Sequence, residues 1–252
     1  MEADLRFAHE LADAADAVTL GYFRSLDLRV DAKPDLTPVS EADRAAEEAV
    51  RSAVAASGRG EGVLGEEAGE GGGGAARWIV DPIDGTRSYV RGVPVWATLL
   101  ALERDGVVDV GLVSAPALGR RWWAVRGGGA WADGSQCRVS DVGRFEDAVV
   151  STTSPRDMPA GWHALAGGAW ADRGFPDFWQ YCLVAEGSID VAAEEALQLW
   201  DYAAVELVVS EAGGRCTTFT GEAPAPGAPF LASNGHLHDE ALATLRGQAP
   251  AT

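Results

Sequence analysis

The 252-residue sequence predicts an α/β (α+β) fold, because strand-like and helix-like segments alternate along its second half. Apolar residues recur at helical spacing near both ends of the chain, and successive strand-like segments fill the stretch between residues 95 and 131. Polarity rises and the strand pattern breaks around residues 136–147. We therefore expect an N-terminal α+β domain at 1–140 and a C-terminal α/β domain at 141–252.

The first half of the chain predicts two helices followed by strands. Ser40 is a suitable N-cap for the second helix, with Asp43 at its third position in a pattern like a capping box. Two prolines before Ser40 exclude a regular helix there. The expected helices lie at about 3–25 and 40–56, a short strand at 28–30, a glycine-rich loop at 58–76, and strands at 78–80, 96–103, 107–114 and 121–126.

The second half predicts strands and helices in turn. A Gly-Gly pair at 213–214 marks the end of one long helix. His236 and His238 are two residues apart, which does not match a helical metal pair, and both are predicted to be surface residues. The expected strands lie at 148–152, 189–192, 215–219 and 230–233, and the expected helices at 160–171, 178–186, 200–211 and 239–246.

The charge of the chain excludes several classes of partner. Its formal net charge is −18, with only 20 Lys and Arg residues, which argues against nucleic acid and against an anionic membrane. No apolar run approaches the roughly 18 residues of a membrane span, and the acidic N-terminus does not resemble a signal peptide. The three scattered cysteines predict small buried side chains in a reducing compartment, so we expect a cytoplasmic protein.

The stretch Trp78–Thr86 carries the strongest chemical signal. Three strand-favouring residues precede Asp81, and Pro82, Ile83, Asp84 and a Gly-Thr pair follow. Carboxylates that cluster at a strand end repel each other unless a cation lies between them. The stretch taken alone predicts either a divalent-metal site next to a phosphate cradle or a simple turn that closes a strand.

Two further acids extend this possible site. Glu66 precedes Asp81 by 15 residues, and Asp201 begins a later helix, where it is also a suitable N-cap. A ligand set of oxygens alone selects Mg²⁺, Mn²⁺ or Ca²⁺ rather than zinc, and more than one Mg²⁺ could share it. The amides of Gly85 and Thr86 would meet phosphate oxygens if they open a helix. The predicted reaction is hydrolysis of a phosphate monoester by a water that the metal activates.

Other reactions have fewer residues in their favour. The sequence holds no Gly-x-Ser-x-Gly, no Walker-type lysine motif and no candidate Ser-His-Asp triad. Two alternatives of other classes stay open: a glycosidase that uses two of these acids, and a metal-binding protein without catalytic activity. Loss of phosphate release on metal removal would separate the phosphatase from both.

Two sets of motifs occur along the chain. The first set is Gly65–Glu67, Trp78–Thr86, Leu199–Ala204 and Glu211–Gly214, and the second is Thr37–Asp43, Arg91–Thr98, Ser114–Trp123 and Asp177–Tyr181. The first set, in this order, resembles the inositol monophosphatase superfamily. Within that superfamily, the second set is most similar to the histidinol-phosphatase branch of actinobacterial type.

The resemblance implies a layered αβαβα sandwich and a Mg²⁺-dependent phosphatase that forms a homodimer. It implies two or three metal ions, with Mn²⁺ as a possible substitute, held by Glu66, Asp81, Asp84, Asp201 and the carbonyl of Ile83. Thr86, with Asp43 behind it, would orient the attacking water, and Glu66 would join them in catalysis. Lys33 lies near the same loop, without an assigned role.

The substrate expected from the resemblance is L-histidinol phosphate, with inositol 1-phosphate or a broader set of sugar phosphates as the alternative. Inositol phosphatases carry a run of small residues where this chain has Phe175–Phe178. An acid and aromatic rings suit a cationic amine and a flat imidazole better than a polyol. Asp177 and Glu194 are therefore the expected contacts of the organic part of the substrate, while Gly85 and Thr86 would contact its phosphate.

Overall fold

A computed structural model describes residues 1–32 and 38–248 of the chain. Lys33, which the sequence placed near the site, lies outside these residues. The helices are α1 Glu2–Tyr22, α2 Glu41–Ser57, α3 Thr86–Val90, α4 Ala160–Gly168, α5 Phe178–Ala185, α6 Leu199–Glu211 and α7 His238–Leu245. The strands are β1 Val30–Ala32, β2 Pro38–Ser40, β3 Gly62–Gly65, β4 Gly69–Gly71, β5 Ala76–Asp84, β6 Ala97–Arg104, β7 Val107–Ala115, β8 Arg120–Val125, β9 Gly129–Ala132, β10 Ser135–Gln136, β11 Val149–Ser151, β12 Ala171–Arg173, β13 Val191–Leu197, β14 Arg215–Thr217 and β15 Ala228–Ser233.

Helices α1 and α2 cover one face of the first sheet. The capping box predicted for α2 is present: the Ser40 side chain accepts a hydrogen bond from the Ala42 amide, and Asp43 accepts one from the Ser40 amide at 2.8 Å. Apolar side chains of both helices pack on residues such as Trp78 and Leu100 of the sheet. Burial of this apolar face holds the helices on the sheet.

Strand β5 is an inner strand of the first sheet, third from one edge. Within the described residues the eight strands of this sheet follow the order β10-β9-β8-β7-β6-β5-β3-β4. Strand β5 pairs with β3 in parallel and with β6 in antiparallel orientation, and its register shifts between Asp81 and Asp84. Strand side chains alternate between faces, so two residues three apart would point to opposite sides of a regular strand. The irregularity between Asp81 and Asp84 removes that constraint.

The second sheet completes a five-layer arrangement. Its strands follow the order β12-β11-β13-β15-β14 within the described part of the chain. Helices α5 and α6 lie between the two sheets, since one apolar cluster joins them to residues of both, including Leu99 and Ala232. Helices α4 and α7 pack on the far face of the second sheet. The order of layers is therefore αβαβα, as the resemblance implied.

The structure corrects two expectations about elements and burial. The segment 58–76, predicted to be a loop, contains β3 and the short β4, which pair with each other. His238, predicted to be a surface residue, is fully buried, whereas its neighbour His236 is exposed. Among the described residues, none of the helices is long and apolar enough to cross a membrane.

Candidate active site

Three carboxylates from two elements meet between the sheets. Asp81 and Asp84 come from β5, and Asp201 comes from the first turn of α6. The ligand atoms that these three side chains offer all lie within 4.8 Å of one another. Residues more than 110 positions apart in the sequence therefore form one acidic cluster.

The cluster is electrostatically unfavourable without a cation. Burial and then the carboxylates of Glu66, Asp84 and Asp201 raise the pKa of Asp81 well above its ordinary value. Burial and then the charges of Asp177 and Asp201 raise the pKa of Asp84 in the same direction. Desolvation and like charge both disfavour the ionised forms, and a bound divalent cation would relieve both.

The donor set fits a hard divalent cation. It consists of carboxylate oxygens, and no histidine or cysteine belongs to the three-residue group that the described residues form. Oxygen ligands of this kind select Mg²⁺, Mn²⁺ or Ca²⁺ over softer metals. Glu66 lies outside this group of three, but its charge acts on both Asp81 and Asp43, which places it at the edge of the cluster.

Asp201 is oriented by the start of α6. Its Oδ2 accepts a hydrogen bond from the Gln198 amide at 2.6 Å. Gln198 is the N-cap and Asp201 the third helical residue of a capping box. The expectation that Asp201 is the N-cap is therefore wrong, because the helix begins two residues before it. One oxygen caps the helix while the carboxylate reaches the cluster.

Ile83 contributes its backbone to the site. Its side chain is fully buried against Ala42, Tyr89 and Trp96. Its amide donates a hydrogen bond to Asp81 Oδ1 at 3.0 Å, and its carbonyl accepts one from Thr86 Oγ1 at 2.9 Å. A carbonyl oxygen has a second lone pair, so this contact leaves it able to bind a cation.

Thr86 links the end of β5 to α2. Its hydroxyl lies 3.3 Å from Asp43 Oδ1 as well as 2.9 Å from the Ile83 carbonyl. Burial raises the pKa of Asp43, and hydrogen bonds from Ser40 act against that rise. The capping role and a role at the site therefore coexist in Asp43: Oδ2 faces Ser40, and Oδ1 faces Thr86.

A cavity of about 200 Å³ opens beside the carboxylates. Asp84 and Asp201 line it on the side of the cluster, and Asp177 and Glu194 line it elsewhere. The structure thus brings both predicted substrate residues to the same space as two of the predicted metal ligands. Phe178 also lines the cavity, although its side chain is almost fully buried and belongs to the core between the sheets.

Asp177 has an unusual backbone. Its φ of 53° and ψ of −136° lie in a region that is essentially restricted to glycine. This conformation lets its amide donate to Thr153 Oγ1 at 2.8 Å, and lets the next amide, of Phe178, donate to Asp84 Oδ2 at 2.6 Å. Its carboxylate lies above Gly85, where a Cβ would come within 3.0 Å of Oδ2. Gly85 itself has a φ of 85°, so glycine is required there for both reasons.

Glu194 is held by a small polar network. Its Oε1 accepts a hydrogen bond from Thr153 Oγ1 and another from Gln180 Nε2, the latter at 2.6 Å. Burial raises the pKa of Glu194 to about 8, and that of Asp177 to about 6, with Arg87 lowering the latter. Two carboxyls with strongly shifted pKa values in one cavity are typical of a functional site, and a bound cationic group would favour the ionised form of each.

Three residues in or beside this network were not predicted to belong to the site: Thr153, Gln180 and Tyr181. Thr153 follows the short strand β11 without a recognisable motif, so no local signal marks it. Tyr181 lines the cavity, and within the described residues its hydroxyl is buried without a hydrogen-bond partner. The position of Gln180 and Tyr181 on α5, directly after Asp177, is the signal that could have identified them.

Comparison with known proteins finds relatives that match almost the whole chain. A model of the inositol monophosphatase family matches residues 1–250. The chain is 50% identical to a histidinol-phosphatase of Mycobacterium tuberculosis, over 96% of this chain and 97% of that protein. It is likewise 50% identical to a histidinol-phosphatase of Streptomyces coelicolor, over 96% of each.

Solved structures show the same fold. An IMPase of Thermotoga maritima superposes with a TM-score of 0.90 at 30% identity, covering 98% of both chains. The extragenic suppressor protein SuhB of Bartonella henselae superposes with a TM-score of 0.89, also at 30% identity, covering 97% of this chain and 98% of that one.

Proposed function

The chain belongs to the inositol monophosphatase family, whose members are metal-dependent phosphatases, and we propose that it hydrolyses L-histidinol phosphate to L-histidinol and phosphate in histidine biosynthesis. The observation that carries this substrate is the cavity in which Asp177 and Glu194 stand beside Asp84 and Asp201. The names of the two relatives at 50% identity support the same choice.

The metal ligands in this proposal are the carboxylates of Glu66, Asp81, Asp84 and Asp201 and the carbonyl of Ile83. Two or three Mg²⁺ ions fit such a set, and Mn²⁺ is a possible substitute. Bound there, the ions would neutralise the clustered charge, draw the phosphate of an anionic substrate into an acidic protein and activate a water.

Thr86 and Asp43 orient the attacking water. The Thr86 hydroxyl has one proton and two acceptors, Asp43 Oδ1 and the Ile83 carbonyl. When it donates to Asp43, the Thr86 oxygen can accept a hydrogen bond from the water. The water loses one proton as its oxygen forms a bond to phosphorus, the bond between phosphorus and the ester oxygen breaks, and the departing oxygen gains a proton to give histidinol. The amides of Gly85 and Thr86 would contact the phosphate oxygens.

Asp177 and Glu194 select the organic part of the substrate. An ionised carboxyl at either position would pair with the primary amine of histidinol phosphate, and the other would accept a hydrogen bond from the imidazole. A polyol offers no cation to these acids, so inositol 1-phosphate should bind less well. Homodimer assembly and a cytoplasmic location stay predictions from the family resemblance.

A direct assay tests this function. Phosphate release would be measured from histidinol phosphate and from inositol 1-phosphate, each with Mg²⁺ and with excess EDTA. We expect a higher kcat/KM for histidinol phosphate and no turnover in EDTA. Preference for the inositol ester would refute the substrate, and full activity after complete metal removal would refute the mechanism.

A further inference from the structure

The turn that follows Glu66 is hydrogen-bonded to a buried carboxylate of α2. Glu47 is 1% exposed. Its Oε2 accepts a hydrogen bond from the Glu67 amide at 2.8 Å, and its Oε1 accepts one from the Ala68 amide at 3.1 Å. The amide of Glu66 donates to the Val80 carbonyl at 3.1 Å. The backbone at Glu66 is thus bound to β5 on one side and to Glu47 on the other.

Arg51 balances the charge of Glu47 and closes the same hairpin. Its guanidinium approaches Glu47 Oε1 to 2.7 Å and also donates to the carbonyls of Val63 and Gly69, on β3 and β4. Buried ion pairs are tolerated where hydrogen bonds satisfy both partners, as they do here. Helix α2 therefore holds both strands of the hairpin and the turn between them.

Gly65 makes this contact possible. A Cβ on Gly65 would lie 2.2 Å from the carboxyl carbon of Glu47, which is far inside van der Waals contact. The motif Gly65–Glu67 therefore has a steric reason for its glycine: the Glu47 carboxylate occupies the space directly beside the residue that precedes Glu66.

We propose that Glu47 is a positioning residue for the metal site, acting through the backbone of the 65–68 turn on the side chain of Glu66. This inference rests on the proposed function, since it takes Glu66 to be a metal ligand. Glu47 itself is not among the residues proposed to bind metal or substrate. Residues that orient metal ligands typically change metal affinity by about 10- to 100-fold when they are replaced.

Direct binding of Mn²⁺, measured by electron paramagnetic resonance and by calorimetry, tests the proposal without relying on turnover. The Glu47→Gln variant keeps the size of the side chain but loses one acceptor and the ion pair with Arg51. We expect it to bind Mn²⁺ at the site roughly 10-fold more weakly than the wild type. The matched control is Glu103→Gln, which breaks the pair between Glu103 and Arg77 at the opposite end of β5. It should leave Mn²⁺ binding unchanged.

A double-mutant cycle with Glu66→Gln shows whether Glu47 acts through Glu66. If it does, Glu47→Gln weakens Mn²⁺ binding in the wild type and has little further effect in the Glu66→Gln background. Unchanged Mn²⁺ affinity in Glu47→Gln would overturn the proposal, as would equal losses in both backgrounds. If Glu66→Gln binds Mn²⁺ like the wild type, Glu66 is not a ligand, and the positioning role falls with it. The choice of histidinol phosphate as substrate is tested separately by the phosphate assay.

A second variant covers the case in which Glu47→Gln does not fold. Arg51→Lys keeps the positive charge beside Glu47 but cannot bridge the Val63 and Gly69 carbonyls. Circular dichroism would establish that it is folded. We expect weaker Mn²⁺ binding in this variant as well, and wild-type affinity would count against the proposal.

Discussion

At the scale of single residues, Asp177 combines a strained backbone with a partly buried carboxyl. A non-glycine residue in its region of φ and ψ costs about 1–3 kcal/mol, and the structure places such a residue at the wall of the cavity. Strain of this kind persists where the surroundings enforce it. Here the amides of Asp177 and Phe178 are held by Thr153 and Asp84.

Asp177→Gly should make the protein more stable and less selective. Glycine adopts this backbone without strain, and the change removes a carboxyl whose pKa burial raises to about 6. We expect the free energy of unfolding to rise by about 1 kcal/mol, after the entropic cost of glycine is subtracted. The kcat/KM for histidinol phosphate should fall roughly 10-fold or more. Urea unfolding and steady-state kinetics measure the two effects.

Asp105→Gly is the matched control for that experiment. Asp105 also has a positive φ, of 50°, but it lies in the exposed turn between β6 and β7. The Asp105→Gly variant should have a higher free energy of unfolding than the wild type and the same kinetics with histidinol phosphate. A loss of stability in Asp177→Gly, or unchanged kinetics with histidinol phosphate, would contradict the role assigned to Asp177.

His238 should make the protein less stable in mild acid. Its side chain is fully buried, with Nε2 at 2.9 Å from Thr217 Oγ1 and Nδ1 at 2.8 Å from Ser233 Oγ. Burial lowers the pKa of His238 from 6.5 to about 4. The unfolded chain takes up the proton first as pH falls, so this contribution to stability is complete above pH 6.5 and is lost between 6.5 and about 4. Between about pH 7 and about pH 5 the loss should amount to about 2 kcal/mol.

Comparison of variants isolates this contribution from those of the acidic cluster. Urea unfolding in EDTA would be measured at both pH values for the wild type, His238→Gln and His236→Gln. The difference in stability between the wild type and His238→Gln should shrink by about 2 kcal/mol at the lower pH. The exposed His236→Gln should show no such change. An unchanged difference for His238→Gln would mean that the histidine titrates normally in the folded protein.

At the scale of elements, the sequence predicted those with strong periodicity or a clear cap and missed those without. The long helices α1, α2 and α6 and the strands β6, β7 and β8 follow apolar patterns and were predicted close to their observed bounds. Strands β3 and β4 were missed because a glycine-rich segment has no strand propensity of its own. Strand β3 pairs with β5, and β4 pairs with β3. Together with the contacts that Glu47 and Arg51 make to the hairpin backbone, these tertiary interactions stabilise both strands.

The residues of the site likewise fall into a group that the sequence predicted and a group that it missed. Asp81, Asp84 and Asp201 lie in local motifs, and the structure brings them together as those motifs indicated. The polar network around Glu194 depends on Thr153 and Gln180, which come from different segments. No pattern along the chain records a contact of that kind, because it exists only after the second sheet and α5 have packed. The buried position of His238 is missed for the same reason.

Asp201→Asn should separate the helix-capping role of Asp201 from its proposed role in metal binding. Asparagine can still accept the hydrogen bond from the Gln198 amide, so the cap survives, but one negative charge leaves the cluster. We expect the melting temperature in EDTA to rise, and the further rise on adding Mg²⁺ to be smaller than in the wild type. Phosphatase activity should fall by about 100-fold or more.

Glu211→Gln, at the other end of α6, is the control. Glu211 accepts hydrogen bonds from the amides of Gly127 and Gly129, away from the cluster. Its replacement should lower the melting temperature slightly and leave the effect of Mg²⁺ intact. A full Mg²⁺ effect in Asp201→Asn would show that Asp201 does not contribute to metal binding.

At the scale of the whole molecule, the acidic cluster is part of a general excess of negative charge. The chain carries a formal charge of −18, and self-repulsion of that size destabilises a compact state. Two kinds of cation effect are therefore expected: screening by any salt, and binding of divalent ions between Asp81, Asp84 and Asp201. Screening does not require the three carboxylates of the site, whereas divalent-ion binding does, so a variant of the site should separate the two effects.

Thermal unfolding at equal ionic strength should separate charge screening from divalent-ion binding. Raising NaCl from about 10 to about 300 mM in EDTA shortens the Debye length from about 30 Å to below about 10 Å, so the melting temperature should rise by a few degrees. Without EDTA, MgCl₂ at the same ionic strength should raise it further, because binding at about 100 times Kd adds about 2.7 kcal/mol. Asp201→Asn should keep the NaCl effect and lose most of the additional Mg²⁺ effect. If Mg²⁺ and Na⁺ act equally in the wild type, the cations only screen charge, and the metal site formed by Asp81, Asp84 and Asp201 is refuted.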